Sequence, residues 1–121
     1  MIDVTPGLLE QRPALAEAVA EVLEETAQRV ERDGFAQHAF WDPVTGRYCT
    51  RGHFTRVALD KYHLVEDYGF AGSVIHGCDM VMTLDLGRGV ALWNDEPGRT
   101  KDEVVETLTK VAAKVRSRCP A

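Results

Sequence analysis

Residues 93–105 read WNDEPGRTKDEVV, and this stretch contains the clearest local folding signals in the chain. The apolar run at 89–93 is bounded by turn residues and predicts a short buried strand. The Pro-Gly pair at 97–98 ends that strand in a turn. Thr100 stands three residues before Glu103, the spacing of a capping box, in which each side chain bonds the other residue's backbone N–H. The stretch therefore predicts a strand, a turn and a helix start directly after Thr100.

Apolar side chains at helical spacing predict three helices. The first runs over 13–33, with a Pro at its first position and an Asp-Gly pair at its end. The second covers 51–62. The third covers 101–117, where acidic residues in the first turn and basic residues in the last turns both oppose the helix dipole. The charged residues of the first helix are expected to form a solvated face.

The remaining segments predict short strands and loops. The sequence DPVTG at 42–46 is typical of a tight turn, and its flanking arms at 39–41 and 47–49 predict a β-hairpin. Residues 68–72, YGFAG, predict a loop. Residues 80–86 alternate weakly between apolar and polar, which predicts a further strand whose methionines face inward.

These elements predict one small α+β domain over residues 13–117. It would contain a long N-terminal helix, a β-hairpin, a second helix, short strands, and a capped C-terminal helix packed on a small sheet. Residues 1–12 are expected to form an irregular lead-in. Residues 118–121 are expected to form a frayed tail that carries a free surface thiol at Cys119.

Composition excludes several classes of partner. The 121 residues carry a formal net charge of −5, from 14 basic and 19 acidic side chains, so no nucleic-acid partner is expected beyond a local basic patch near Arg47 and Arg51. No apolar run approaches the roughly 20 residues of a membrane span, and no signal-peptide pattern is visible. Three unevenly spaced cysteines do not form a disulfide framework. These features predict a cytoplasmic protein.

Three short motifs support a resemblance to a known family. They are the helix end Asp33-Gly34-Phe35, the helix start Cys49-Thr50-Arg51-Gly52, and the Trp-Asn-Asp, Pro-Gly-Arg-Thr and Glu-Val block over 93–104. On these motifs the chain resembles a family of small actinobacterial and actinophage proteins that share a domain of unknown function. It departs from that pattern at His53, where small apolar residues are usual. The resemblance implies a bacterial or phage setting and no particular chemistry.

One set of residues is compatible with thiol catalysis. Cys49 opens a predicted helix, where backbone N–H groups and the dipole stabilise a thiolate. His76 would accept its proton and Asp95 would orient that histidine, as in a small thiol-dependent hydrolase or transferase. The alternative for Asn94 and Asp95 is structural, because such side chains often bond the backbone of their own turn.

A second set is compatible with zinc. Cys49 and His53 are four residues apart and share a helix face. If residues 74–79 are extended, His76 and Cys78 also share a face, and two Cys with two His suit tetrahedral zinc. These spacings differ from those of common zinc modules. The alternative is two partly buried cysteines and two hydrogen-bonded histidines in a small core.

The aromatic residues suggest a third, non-catalytic interpretation. Phe40, Trp41, Tyr48 and Trp93 would form either an exposed patch for a protein partner or part of the core. The leading hypothesis is an interaction or accessory protein that binds a partner protein and needs no cofactor. The other histidines, His38 and His63, follow no pattern and are expected in surface loops.

Overall fold

The computed structural model describes residues 9, 11–62 and 68–118. Predictions for His63, Cys119, most of the lead-in and most of the tail lie outside these residues. The fold is a single, mostly helical α+β domain. Its elements are α1 (Pro13–Asp33), β1 (Trp41–Asp42), β2 (Arg47–Tyr48), α2 (Thr50–Tyr62), α3 (Tyr68–Leu86), α4 (Val90–Asn94) and α5 (Lys101–Arg118).

The largest helix interface joins α1 to α5. The prediction that the C-terminal helix packs on a sheet is wrong, because the sheet is one antiparallel pair of two-residue strands and has no face wide enough for a helix. At the rim, Arg116 bonds Glu17 and Glu24, each at 2.8 Å. The fully buried side chains at the centre are Val19, Val22, Leu23 and Val30 of α1, with Val104, Leu108, Val111 and Val115 of α5.

Two predicted strands are helices. Residues 68–72, expected as a loop, and 80–86, expected as a strand, both belong to α3. So do residues 74–79, which the zinc hypothesis required to be extended. Its buried positions Val74, Cys78 and Val81 recur at intervals of four and three, which is helical spacing. The weak alternation after residue 80 did not reveal that period. Within the described part of the chain, no helix is long and apolar enough to cross a membrane.

The predicted strand at 89–93 is also wrong, since these residues form most of the short helix α4. Val90, Trp93 and Asn94 are its buried residues, again at helical spacing. A short apolar run between turn residues fits a buried strand and a buried helical turn equally well. The hairpin, the first two long helices and the helix after Thr100 are confirmed.

Gly77 allows α3 to lie close to α1. A Cβ atom at this position would lie 2.7 Å from Cγ2 of Val19, which is fully buried. A β-branched side chain has little freedom to move aside. The same helix contains Gly72, which is exposed and around which a Cβ atom would meet nothing within 4 Å.

Alanine at these two glycines should therefore have opposite effects. Gly77→Ala should lower the free energy of unfolding by about 1–3 kcal/mol because it overpacks the interface between the two helices. Gly72→Ala should raise it by about 0.5–1 kcal/mol because alanine favours the helix. Urea unfolding followed by circular dichroism measures the free energy of unfolding of both variants. Equal changes of the same sign in that free energy would contradict this packing.

Candidate functional site

The side chain of Asn94 joins three segments of the chain and is fully buried. Its Oδ1 accepts hydrogen bonds from the backbone N–H of Thr50 at 2.9 Å and from the Thr50 hydroxyl at 2.7 Å. Its Nδ2 donates to the carbonyl of Ala36 at 2.9 Å. One amide thus connects α4 to the start of α2 and to the loop after α1.

Neighbouring polar groups extend this connection. Asp95 Oδ1 accepts from the backbone N–H of His38 at 2.8 Å and from Asn94 Nδ2 at 2.9 Å. Gln37 Nε2 donates to the carbonyls of Asn94 and Glu96, at 3.0 and 2.9 Å. The expectation that Asn94 and Asp95 mainly bond their own turn is wrong, since most of their side-chain bonds reach residues more than forty positions earlier in the chain. The local sequence around Asn94 could not reveal these partners, because they come from distant parts of the chain.

Arg99 and the helix cap hold the rest of the 93–105 stretch. Arg99 Nε donates to the Trp93 carbonyl at 3.0 Å, and its guanidinium carbon lies 4.1 Å from the centre of the Trp93 ring. The predicted capping box is confirmed: Thr100 N–H bonds Glu103 at 3.0 Å, and Glu103 N–H bonds the Thr100 hydroxyl at 3.1 Å. These contacts give the stretch a structural role.

The Cys-x-x-Gly motif is likewise a packing motif. Cys49 precedes α2, and its Sγ accepts the backbone N–H of Gly52 at 3.3 Å, as an N-cap residue does. The Cys49 N–H donates to the carbonyl of Phe40 at 3.0 Å. A Cβ atom at Gly52 would lie 2.5 Å from that same carbonyl oxygen. The motif therefore caps α2 and lets it approach the hairpin closely.

The surroundings of Cys49 favour the neutral thiol. Burial raises its pKa above the ordinary value, and the nearby Asp95 carboxylate acts in the same direction. The backbone N–H groups of Gly52 and Arg51 oppose this shift without cancelling it. A helix N-terminus alone thus does not produce a reactive thiolate here.

The structure brings Cys49 and Asp95 together and places His76 elsewhere. Cys49 and Asp95 line one pocket of about 250 Å³, together with His38. His76 lines a different pocket, beside Leu15. His38, a residue without any recognisable sequence pattern, has its Nδ1 3.8 Å from Oδ2 of Asp95. Its backbone φ of 65°, held by the bond to Asp95, could not be inferred from local sequence.

The four residues predicted as zinc ligands lie in separate environments. His53 Nε2 donates to the carbonyl of Gly34 at 2.9 Å, and burial lowers its pKa. Cys78 is fully buried and contacts the carbonyl of Val19. Because 74–79 is helical, a rotation of about 200° around the helix axis separates His76 from Cys78, so they lie on nearly opposite sides. Among the described residues no three or more His, Cys, Asp or Glu are arranged to hold a metal ion.

The four aromatic residues divide between core and surface. Trp93 is buried, while Phe40 and Trp41 are 51% and 48% exposed. Tyr48 is half-buried and packs edge-to-face with Phe40, with ring centres 6.1 Å apart. The remaining exposed large apolar side chains of the described residues are Val44 in the hairpin turn and Leu92 in α4.

A family model described as "Family of unknown function (DUF6197)" matches residues 14–114. The chain belongs to this family. The predicted resemblance to a family of unknown function is confirmed at that level. No significant match was found among curated proteins or among solved structures. Membership covers most of the chain and assigns no reaction.

Asn94→Asp should destabilise the protein by about 3 kcal/mol, because it removes the donor to Ala36 and places a second carboxylate beside Asp95 in a buried site. The control Asp95→Asn keeps an oxygen acceptor for His38 and should cost about 1 kcal/mol or less. Chemical unfolding of both variants measures the difference. Equal, small effects would contradict the central role of Asn94.

Cys49 should react slowly with iodoacetamide. A raised pKa reduces the thiolate fraction at pH 8, and burial limits access, so alkylation in the folded protein should be at least about tenfold slower than in urea. The rate should keep rising as the pH passes 9. Mass spectrometry of the peptide that contains Cys49 follows the reaction. Faster alkylation in the folded state would instead support thiol chemistry.

Proposed function

We propose that this protein is a non-catalytic interaction or accessory protein that binds a partner protein through its hairpin face, defined by Phe40, Trp41, Val44 and Leu92. The observation that carries this proposal is their location. Every exposed large apolar side chain in the described ranges lies on the hairpin or on α4, and none lies on the four long helices. The two elements adjoin, because Phe40 and Ala91 line one pocket.

The hairpin face is held in place before any partner arrives. The carbonyl of Phe40 accepts the N–H of Cys49 at 3.0 Å, and the carbonyl of Tyr48 accepts the N–H of Ala36 at 2.9 Å. The edge-to-face contact between Phe40 and Tyr48 restrains the ring of Phe40. A face ordered in advance loses little conformational entropy on binding, which favours affinity.

Charges beside the hairpin face favour a partner with an apolar centre and an acidic rim. Arg51 lines a pocket on one side of Phe40, and Arg56 lines another on a second side. The Arg51 side chain is half-exposed, with its closest described carboxylate, Asp79, at 3.7 Å. Protein interfaces commonly combine a buried aromatic centre with complementary charges at the rim.

The geometry gives less support to thiol or zinc chemistry. Burial raises the pKa of the Cys49 thiol, its sulfur caps a helix, and His76 belongs to another pocket. The actinobacterial or phage setting and the cytoplasmic location are part of the proposal. The setting rests on the resemblance carried by residues 93–104. The location rests on an odd number of unevenly spaced cysteines, which is not the pattern of a disulfide framework.

The test is a photo-crosslinking experiment in the native host. A photoreactive phenylalanine analogue replaces Trp41 in one protein and the exposed Thr109 of α5 in a matched control. A partner captured only from position 41 is then purified, and its affinity is measured directly. Trp41→Ser and Leu92→Ser should each weaken binding by roughly thirtyfold, the effect of losing about 2 kcal/mol at an interface centre.

Three outcomes would contradict the proposal. The first is equal crosslinking from positions 41 and 109. The second is a partner whose affinity does not change in the Trp41→Ser protein. The third is crosslinking at position 41 to a second copy of this chain, which would make the face a homodimer interface. Circular dichroism verifies that each variant is folded.

A further inference from the structure

A cleft of about 500 Å³ lies between the end of α1, the hairpin turn and α2, and it is basic in an otherwise acidic chain. Four arginines line it, and Asp33 is the only carboxylate among the described lining residues. We propose that this cleft binds the phosphate group of a small organic phosphate. The inference does not rest on the four apolar side chains of the hairpin face, although Arg56 lies beside both surfaces. The four arginines are Arg29, Arg32, Arg47 and Arg56.

Arg47 is the central cation of this proposal. Asp33 and Asp60 pair with the other cleft arginines. Among the described residues no ion pair joins Arg47 to a carboxylate, although its strand partner in the hairpin is Asp42. Its guanidinium lies against the backbone at Gly34, where a Cβ atom would be 3.2 Å from both Cζ and Nε of Arg47. Gly34 has a φ of +79°, a conformation that favours glycine. The backbone therefore leaves room for a cation that forms no ion pair with a carboxylate of the described residues.

The other three arginines are oriented by ion pairs with carboxylates. These ion pairs leave some of the guanidinium N–H donors unused. Arg32 donates to Asp33 through Nε and Nη2. Arg56 donates to Asp60 through the same two atoms. Arg29 donates to Asp60 through Nη1 and to Glu25 through Nη2. A guanidinium has five N–H donors, so each of the three keeps donors for a ligand while its position is fixed.

The donor chemistry favours phosphate over other small anions. Guanidinium groups form paired, charge-assisted hydrogen bonds with phosphate oxygens, and several of them around one cavity match a tetrahedral oxyanion. The cleft falls within the range of about 300–1,000 Å³ that is typical of small-molecule pockets, so it has room for an organic group attached to the phosphate. The rings of Tyr48 and His53, 5.8 Å apart, line it and can contact that group.

Binding is tested with two charge-matched variants. Isothermal titration calorimetry at low salt measures the affinity of the folded protein for pyrophosphate and for ribose 5-phosphate. Arg47→Gln and Arg51→Gln each remove one exposed arginine next to the hairpin, but Arg51 lies outside the cleft. We expect saturable binding that weakens about tenfold or more in Arg47→Gln and less than about twofold in Arg51→Gln.

Competition and folding controls complete the test. Sulfate should displace the bound phosphate, whereas acetate at the same ionic strength should not, because the site fits a tetrahedral oxyanion. Thermal unfolding verifies that Arg47→Gln is folded. The proposal is overturned by a lack of saturable binding, by equal losses in the two variants, or by acetate competing as well as sulfate. Arg47→Gln should leave crosslinking from position 41 unchanged, which separates this result from the proposed partner binding.

Discussion

The buried amide of Asn94 is the interaction on which the arrangement of α4, the start of α2 and the loop after α1 depends. It satisfies two donors of Thr50 and the carbonyl of Ala36, which belong to different segments of the chain. A buried amide is costly unless all its groups are bonded, so the segments must assemble together for the site to form. The hairpin lies between these segments along the chain, and its position follows from theirs.

The parts of the fold that the sequence predicts correctly are those with local physical causes. Helix periodicity, the Pro and Gly positions, the hairpin turn and the reciprocal bonds of Thr100 and Glu103 all act within a few residues. The runs that became α3 and α4 were misassigned because short apolar segments do not carry a clear period. Of the candidate site, sequence correctly places Cys49 at a helix start, but the proximity of Cys49, Asp95 and His38 arises from tertiary contacts alone.

The motifs that carry the family resemblance are positions of close backbone approach. Gly52 lets α2 approach the carbonyl of Phe40, and Gly34 leaves room for the Arg47 side chain. The hairpin held by these contacts has two chemically different neighbours, an apolar face and an arginine-lined cleft, with Tyr48 between them. The motifs thus fix a scaffold, and the two candidate binding surfaces lie beside it.

The pairing of α1 with α5 has a consequence for synthesis on the ribosome. Arg116 meets Glu17 across 99 positions of sequence, and the apolar stripe of α1 is covered mainly by side chains between Val104 and Val115. During translation this stripe emerges long before the helix that covers it. The apolar stripe of α1 therefore stays uncovered until α5 has been made, so the central helix pair of the domain can form only late in synthesis.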